Sequence, residues 1–347
     1  MAVSIAPGSD GASSSQTEPV AVPVVTRAVV HSRYGGDGSL RVGEHVIDRL
    51  EHDEVLVRVH ATSVNPADWY GVEGFALARF GNGLRSPKDP RVGIDLAGRV
   101  VAVGDAVTRA RVGDDVFGTG TGAWAELAVA REERLARKPA GVSFEDAAAM
   151  PVAAITALQA VRDHGRVESG ARVLVNGASG GVGPFAVQLA RWLGAEVTAV
   201  CSTANVETAR SLGARQVVDY RQEDFCALGE RYDVLIDVAG CRPFRSFRRV
   251  LTRNARVVLV GAPMTAAGLG PLPHLVATKL SGALRRRSVA FFVAKVNATD
   301  LDLLGRLLEE GTIRVVTGRR FEGLEEVPDA LRHLGEGHAG GKIAVRL

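Results

Sequence analysis

Two hydrophobic rhythms divide this chain. Glu54 to Ala61 alternates apolar and polar positions with period two, as a half-buried antiparallel strand does. Asp95 to Gly104, Arg111 to Gly118 and Gly122 to Val129 continue the pattern as short strands punctuated by glycine. They predict a compact, barrel-like β domain over residues 26–152. Beyond Pro151 the apolar runs become nearly continuous. Strands are expected at Arg172 to Asn176, Glu196 to Cys201, Arg215 to Val218, Tyr232 to Val238, Arg256 to Gly261 and Ser288 to Val293. Helical spacing intervenes after Gly183, over Val206 to Leu212 and over Phe244 to Leu251. Apolar strands alternating with helices predict a parallel sheet covered on both faces. The fold class is therefore α/β: a doubly wound parallel sheet beside a β-rich barrel domain.

The chemistry concentrates where the first of those strands ends. Arg172 to Asn176 feeds Gly177-Ala178-Ser179-Gly180-Gly181-Val182-Gly183-Pro184, and an amphipathic helix follows. Glycines let the backbone turn tightly and approach a pyrophosphate, and a helix start presents unpaired N–H groups with partial positive charge. Pro184 suits the first helical turn, where its missing N–H costs nothing. Strand, glycine turn, helix and strand together make one dinucleotide-binding βαβ unit.

Composition narrows the function further. The chain has 347 residues, 46% of them hydrophobic, with a formal net charge of +3. That balance is too small to argue for nucleic acid, so Arg285-Arg286-Arg287 reads as a solvated face. No apolar run reaches membrane-spanning length. The first 25 residues, rich in Ser, Gly, Ala and Pro, read as a disordered tail without the pattern of a signal or transit peptide. Three cysteines without metal-like spacing fit a reducing, cytoplasmic setting. No Ser-His-Asp series and no paired carboxylates emerge, which disfavours hydrolysis.

Taken together, several motifs resemble the medium-chain dehydrogenase/reductase superfamily, in its zinc-independent quinone oxidoreductase-like branch. They are Ser63-Val64-Asn65-Pro66-Ala67-Asp68, Gly93-Ile94-Asp95-Leu96-Ala97-Gly98, Gly113-Asp114-Asp115-Val116, the Gly177 to Gly183 turn, Val218-Asp219-Tyr220, Phe291-Phe292-Val293 and the closing Gly337-His338-Ala339-Gly340-Gly341-Lys342. The resemblance covers Arg27 to Leu347. It implies a GroES-like domain over residues 26–152, a Rossmann domain over 153–290, and a segment over 291–347 that returns to the first domain. It also implies a homodimer joined through the sheet edge near Ser288 to Val293.

Zinc-dependent relatives carry a Cys in the segment matching Val64 to Asp68 and a Gly-His-Glu where this chain has Gly93-Ile94-Asp95; both ligands are missing. The eight histidines form no pair at ligand spacing, so no metal is expected. Carbonyl polarisation then falls to hydrogen-bond donors, which favours activated acceptors such as quinones and enones. An NAD site usually places Asp or Glu about 20 residues past the turn, on the ribose 2′-hydroxyl. Here the second strand ends in Cys201-Ser202-Thr203-Ala204-Asn205, with hydroxyls and no carboxylate, which favours NADPH. The resemblance assigns the 2′-phosphate to Ser202 and Tyr220. The basic residue that relatives carry in this loop is absent, leaving Arg210 or Arg221 as substitutes. Alternatively, Ser202 caps the next helix.

The resemblance further implies that Ser179, Gly180, Gly181 and Val182 hold the pyrophosphate, that Gly261, Phe292 and Val293 line the nicotinamide end, and that Lys342 lies near the cofactor. Phe292 and Val293 read equally as sheet core. Asn65 is implied close to the nicotinamide as a positioning group, with Asp68 pinning the loop. Tyr70 is a candidate proton donor or substrate wall, or an amphipathic residue at a cleft. Phe75 to Arg85 is expected to line or cover the substrate pocket. The expected activity is NADPH-dependent hydride transfer to a quinone or α,β-unsaturated carbonyl. Its rivals are an alcohol or carbonyl oxidoreductase, a biosynthetic tailoring enzyme, and a non-catalytic NADPH-binding sensor.

Overall fold

A computed structural model describes residues 20–261, 288–337 and 339–347 of the protein. Among the described residues, thirteen strands precede a C-terminal pair: β1 Val24–His31, β2 Leu40–Ile47, β3 Glu54–Val64, β4 Asp95–Val103, β5 Asp115–Thr119, β6 Leu127–Arg131, β7 Leu135–Arg137, β8 Arg172–Asn176, β9 Glu196–Cys201, β10 Gln216–Asp219, β11 Tyr232–Asp237, β12 Leu251–Leu259 and β13 Ser288–Phe291. The pair is β14 Thr317–Glu322 and β15 Lys342–Arg346.

Strands β8 to β13 form a parallel sheet in the order β10-β9-β8-β11-β12-β13. This is the doubly wound order of dinucleotide-binding sheets, whose reversal lies between the first strand, β8, and the fourth, β11. The apolar runs explain the layering. In β8, Val173 and Val175 enter the core beneath the helices Pro151–Gln159 and Gly183–Trp192. Leu174, between them, enters a second core with Leu235, Val257, Phe225 and Phe247 on the other face. Successive strand residues point to opposite faces, so a strand buried on both needs apolar side chains at every position.

Before this sheet, β3, β4, β5, β7, β14 and β15 lie on one hydrogen-bonded path, and β6 pairs with β3. The chain's end returns here: Ile343 of β15 stands opposite Val64 of β3, and β14 runs parallel to β15. That pairing brings Lys342 beside Asn65, two residues 277 positions apart.

The Pro151–Gln159 helix joins the two halves. It runs on into one wider turn, Ala160–His164, closed by the Gly165 N–H to the Ala160 carbonyl at 2.8 Å. The Ala298–Glu309 helix clamps it. The buried Asp300 carboxylate accepts from Gln159 at 3.0 Å and from Arg162 at 2.7 Å, while Asn297 caps that helix through the Asp300 N–H. Burial alone would raise the Asp300 pKa, but hydrogen bonds from Arg162, Gln159 and Asn297 outweigh it and hold it low.

Several boundaries differ from the sequence expectation. Val24 and Val25, placed within the tail, belong to β1; Val20, Val22 and Val24 pack on the core around Ile47 and Leu56, and apolar contact orders them. Residues 1–19 of that tail lie outside the described residues. The strand expected from Gly122 starts at Leu127, because Trp124 is drawn inward and its indole N–H donates to the Ser63 carbonyl at 3.2 Å. The helix expected over Phe244 to Leu251 is α-helical only at Phe244–Phe247, followed by a 3₁₀ turn, Arg248–Val250. Leu251 already pairs with Tyr232 in the sheet, and ladder bonds to β11 take over there. The last strand stops at Phe291, short of Val293.

Candidate active site

The glycine turn sits at the strand-order reversal, at the carboxyl ends of β8 and β11. The Gly177 and Ala178 N–H groups donate to the Val200 carbonyl, closing the loop over β9. Gly177 has φ +89°, and a Cβ there would lie 2.8 Å from the Ala239 nitrogen in the loop after β11. A Cβ at Gly183 would strike the Gly177 carbonyl oxygen, so the helix can start against its own turn only with glycine. No side chain caps the Gly183–Trp192 helix. Its first-turn N–H groups have no intrahelical partner. Ser179, Gly180, Gly181 and Val182 are half-buried around this opening. The cradle suits a pyrophosphate in space, donors and dipole.

Lys342 connects this turn to the other domain. A Cβ placed on Gly181 would lie 3.3 Å from the Lys342 Cδ, so the lysine stem runs along the turn. Its ammonium donates to Asn65 Oδ1 at 2.6 Å and lies 3.4 Å from Asp95 Oδ2. Asn65 in turn donates from Nδ2 to Asp95 Oδ2 at 2.9 Å. Asp95 is fully buried, and also accepts from the Ser63 hydroxyl at 2.7 Å and from the Val152 N–H at 3.0 Å.

Asp68 belongs to the same cluster. Its Oδ2 accepts the Asn65 N–H at 2.8 Å, which fixes the start of the Pro66–Glu73 helix. Burial, reinforced by the neighbouring Asp95 charge, pushes its pKa up to about 7. Asp95 and Ser63 were not named among the site residues in the sequence reading. The available signal was Asp95 itself, a lone carboxylate at the head of an apolar strand.

At the far end of the sheet, the parallel register sets Asp219 beside Cys201. A carboxylate therefore does stand near the end of the second strand, contrary to the linear reading; it arrives from β10. Its oxygens are occupied: Thr203 donates at 2.6 Å, Gln222 at 2.8 Å and the Arg221 N–H at 3.0 Å. The Thr203 hydrogen bond is the leading cause that holds its pKa low. Ser202 makes no side-chain cap; its hydroxyl instead accepts from Asn205 at 2.9 Å. Tyr220 is 47% exposed beside them. Arg210 is committed to Glu207, whereas Arg221 is exposed. The closing loop also reaches this end, since a Cβ on Gly340 would lie 3.7 Å from Asn205 Oδ1.

Tyr70 is half-buried in an edge-to-face series with Trp69 at 5.3 Å and Phe75 at 5.1 Å. Burial raises its pKa. The segment after Phe75 forms a short helix, Ala76–Asn82. Tyr34 tethers it, donating to the Gly83 carbonyl at 2.7 Å beneath the Arg79 guanidinium. Phe292 stacks on His164 at 4.1 Å, at the end of the bridging helix. Val293 is 80% exposed, which rules out the sheet-core reading for it: it lies beyond the strand end. Gly261 closes β12; a Cβ there would strike the Val238 carbonyl, so the loops after β11 and β12 meet at this point.

No three His, Cys, Asp or Glu side chains gather into a group that could hold a metal ion among the described residues. No described helix is long and apolar enough to cross a membrane.

Comparisons with known proteins converge on the same architecture. Residues 51–140 match the alcohol dehydrogenase GroES-like domain, and residues 212–345 match a domain described as zinc-binding dehydrogenase. A chloroplast envelope quinone oxidoreductase homolog of Arabidopsis thaliana is 33% identical over 92% of this chain and 97% of the relative. An NADPH-dependent alkenal/one oxidoreductase, chloroplastic, of the same plant is 30% identical over 95% and 81% respectively. The solved quinone oxidoreductase of Coxiella burnetii superposes with a TM-score of 0.81 at 27% identity, covering 93% of this chain and all of that one. With a GroES-like domain, a doubly wound sheet and relatives spanning nearly its full length, the chain is an oxidoreductase that uses a nicotinamide cofactor, and it belongs to the quinone oxidoreductase-like branch of the medium-chain dehydrogenase/reductase superfamily.

Proposed function

We propose that this protein reduces a quinone or an α,β-unsaturated carbonyl with NADPH, without zinc. The observation that carries the reading is the path of Lys342, from the Gly181 turn to the Asn65 amide of the other domain. It supports a dinucleotide cradle at the turn working beside the buried polar cluster of Asn65, Asp95 and Lys342. Bound there, NADPH would supply the hydride. The chain's share is to hold and orient. The turn from Ser179 to Val182 takes the pyrophosphate. Asn65, held between Asp95 and Lys342 and bonded to Asp68, is the positioning group beside the nicotinamide. The aromatic group Trp69, Tyr70 and Phe75, with the Ala76–Asn82 helix, forms the substrate wall and keeps water out. The Tyr70 hydroxyl is the candidate donor of the proton that a reduced acceptor needs, although burial, by raising its pKa, makes it a weaker acid. Phe292, Val293 and Gly261 flank the nicotinamide end.

The NADPH preference rests on Ser202, Tyr220 and Arg221. The Asp219 carboxylate nearby is turned to Thr203 and Gln222. Charge-assisted hydrogen bonds contribute about 1.5–3 kcal/mol. Arg221→Ala is therefore expected to weaken NADPH binding roughly tenfold or more while leaving NADH unchanged, by titration calorimetry with both cofactors. Equal losses for the two would remove Arg221 from 2′-phosphate recognition. The edge strand β13, with Phe291 44% exposed, supports a homodimer joined there. The three free thiols support a cytoplasmic setting.

The test of the activity is NADPH oxidation by metal-chelated protein with quinones, enones and aldehydes. Turnover on quinones or enones, unchanged by chelation, is expected. Reduction confined to aldehydes, or lost on chelation, would sink the proposal. NADPH binding without any turnover would favour the sensor.

A further inference from the structure

We infer that Asp95 is the positioning residue of this site: its buried carboxylate fixes which way the Asn65 amide faces and where the Lys342 ammonium stands. This rests on the reductase reading of the cleft.

The argument begins with donors and acceptors. An ammonium only donates and a carboxylate only accepts. Asn65 lies between the two, with Oδ1 2.6 Å from Lys342 Nζ and Nδ2 2.9 Å from Asp95 Oδ2. Rotating the amide by half a turn would set NH₂ against the ammonium and oxygen against the carboxylate, and both contacts would become repulsive. The charged pair therefore permits one amide orientation. Asp95 can impose this because it is itself fixed. Ser63 donates to Oδ2, and the Val152 N–H donates to Oδ1. That second donor belongs to the first turn of the bridging helix, whose far end carries His164 beneath Phe292. A single carboxylate thus registers Asn65, Lys342 and the bridging helix against one another, although it has no exposed surface of its own.

Asp68 provides a readout that does not depend on turnover. The charged groups acting on it are Asp95, which raises its pKa, and Lys342, which lowers it; Asn65 donates to it. If Asp95 is lost as a charge, Asp68 must ionise at lower pH.

The experiment compares the full-length parent with Asp95→Asn and Ser63→Ala. In the amide variant the group facing Asn65 has a donor where the carboxylate had none, so the Asn65 orientation is no longer fixed. A misplacement of about 1 Å can cost 100-fold in rate. Asp95→Asn is expected to lower kcat roughly 10–100-fold with little change in acceptor KM or NADPH Kd. Ser63→Ala, which removes one donor to Asp95, should fall between it and the parent. The Asp68 carboxyl, followed by carbon NMR, should titrate near pH 7 in the parent and lower in Asp95→Asn.

An Asp95→Asn enzyme with parental kcat and an unmoved Asp68 titration overturns the inference while the reductase reading stands. A parent that turns over no acceptor overturns the reductase reading, and the Asp68 titration then still decides the role of Asp95. Should Asp95→Asn not fold, Ser63→Ala decides: a parental kcat counts against the inference.

Discussion

Gly183→Val is expected to weaken NADPH binding about 10–100-fold by titration calorimetry. The reason is geometric. Any Cβ at this position would collide with the Gly177 carbonyl and with the Ala178 backbone, neither of which is a flexible tip. The turn would have to open, and the N–H groups that should face a pyrophosphate would turn aside. Overpacking at a well-filled site costs about 1–3 kcal/mol. Each 1.4 kcal/mol is a factor of about ten in affinity. Gly181→Ala is the control. Its Cβ would meet only the Lys342 stem at 3.3 Å, a side chain that can yield, so a loss of about tenfold or less is expected. Comparable thermal melts of the two variants separate a local effect from unfolding. If Gly183→Val binds NADPH within threefold of the parent, this turn is not the pyrophosphate cradle.

That turn was legible in the sequence because its causes are local. Strand, glycines and helix are consecutive, and each residue's reason lies within a few positions of it. The same holds for β8 and β11, where continuous apolar runs announce burial on both faces. Legibility failed where a residue's fate depends on a distant partner. Trp124 sits in an alternating run that reads as strand, yet the Ser63 carbonyl draws its indole inward and the strand starts three residues later. Val20 to Val25 reads as the end of a disordered tail until Ile47 and Leu56 supply an apolar surface for it.

The site shows the same division. Asn65 and Lys342 were each marked by the family resemblance, but no local pattern says that they touch. That contact follows from β15 pairing with β3 across most of the chain. Asp219 is the instructive miss. Reading past the end of β9 finds hydroxyls and no acid, whereas parallel pairing brings the acid from β10 to the same place. Register, which couples strands rather than residues, decided both.

Register also makes Lys342 the most vulnerable position of the site. Lys342→Met should lower stability by about 3–5 kcal/mol, the usual cost of stranding one partner of a buried ion pair. Methionine keeps a stem along Gly181, so packing is largely conserved and the loss falls on the charge. Asp95 would remain buried with Ser63, Asn65 and Val152 as donors but without a cation, and the neighbouring Asp68 carboxyl would lose the charge that lowers its pKa. For a domain of about 150–250 residues, each kcal/mol moves Tm by about 2–4 °C, so calorimetry should find a fall of roughly 6–20 °C. The double variant Lys342→Met with Asp95→Asn removes both charges and should recover much of that loss. The coupling read from the cycle should be large because the groups share one hydrogen-bond network. Additive losses, or a Lys342→Met protein as stable as the parent, would mean that solvent already compensates Asp95, and a carboxylate so compensated would have no reason to hold the lysine at the turn.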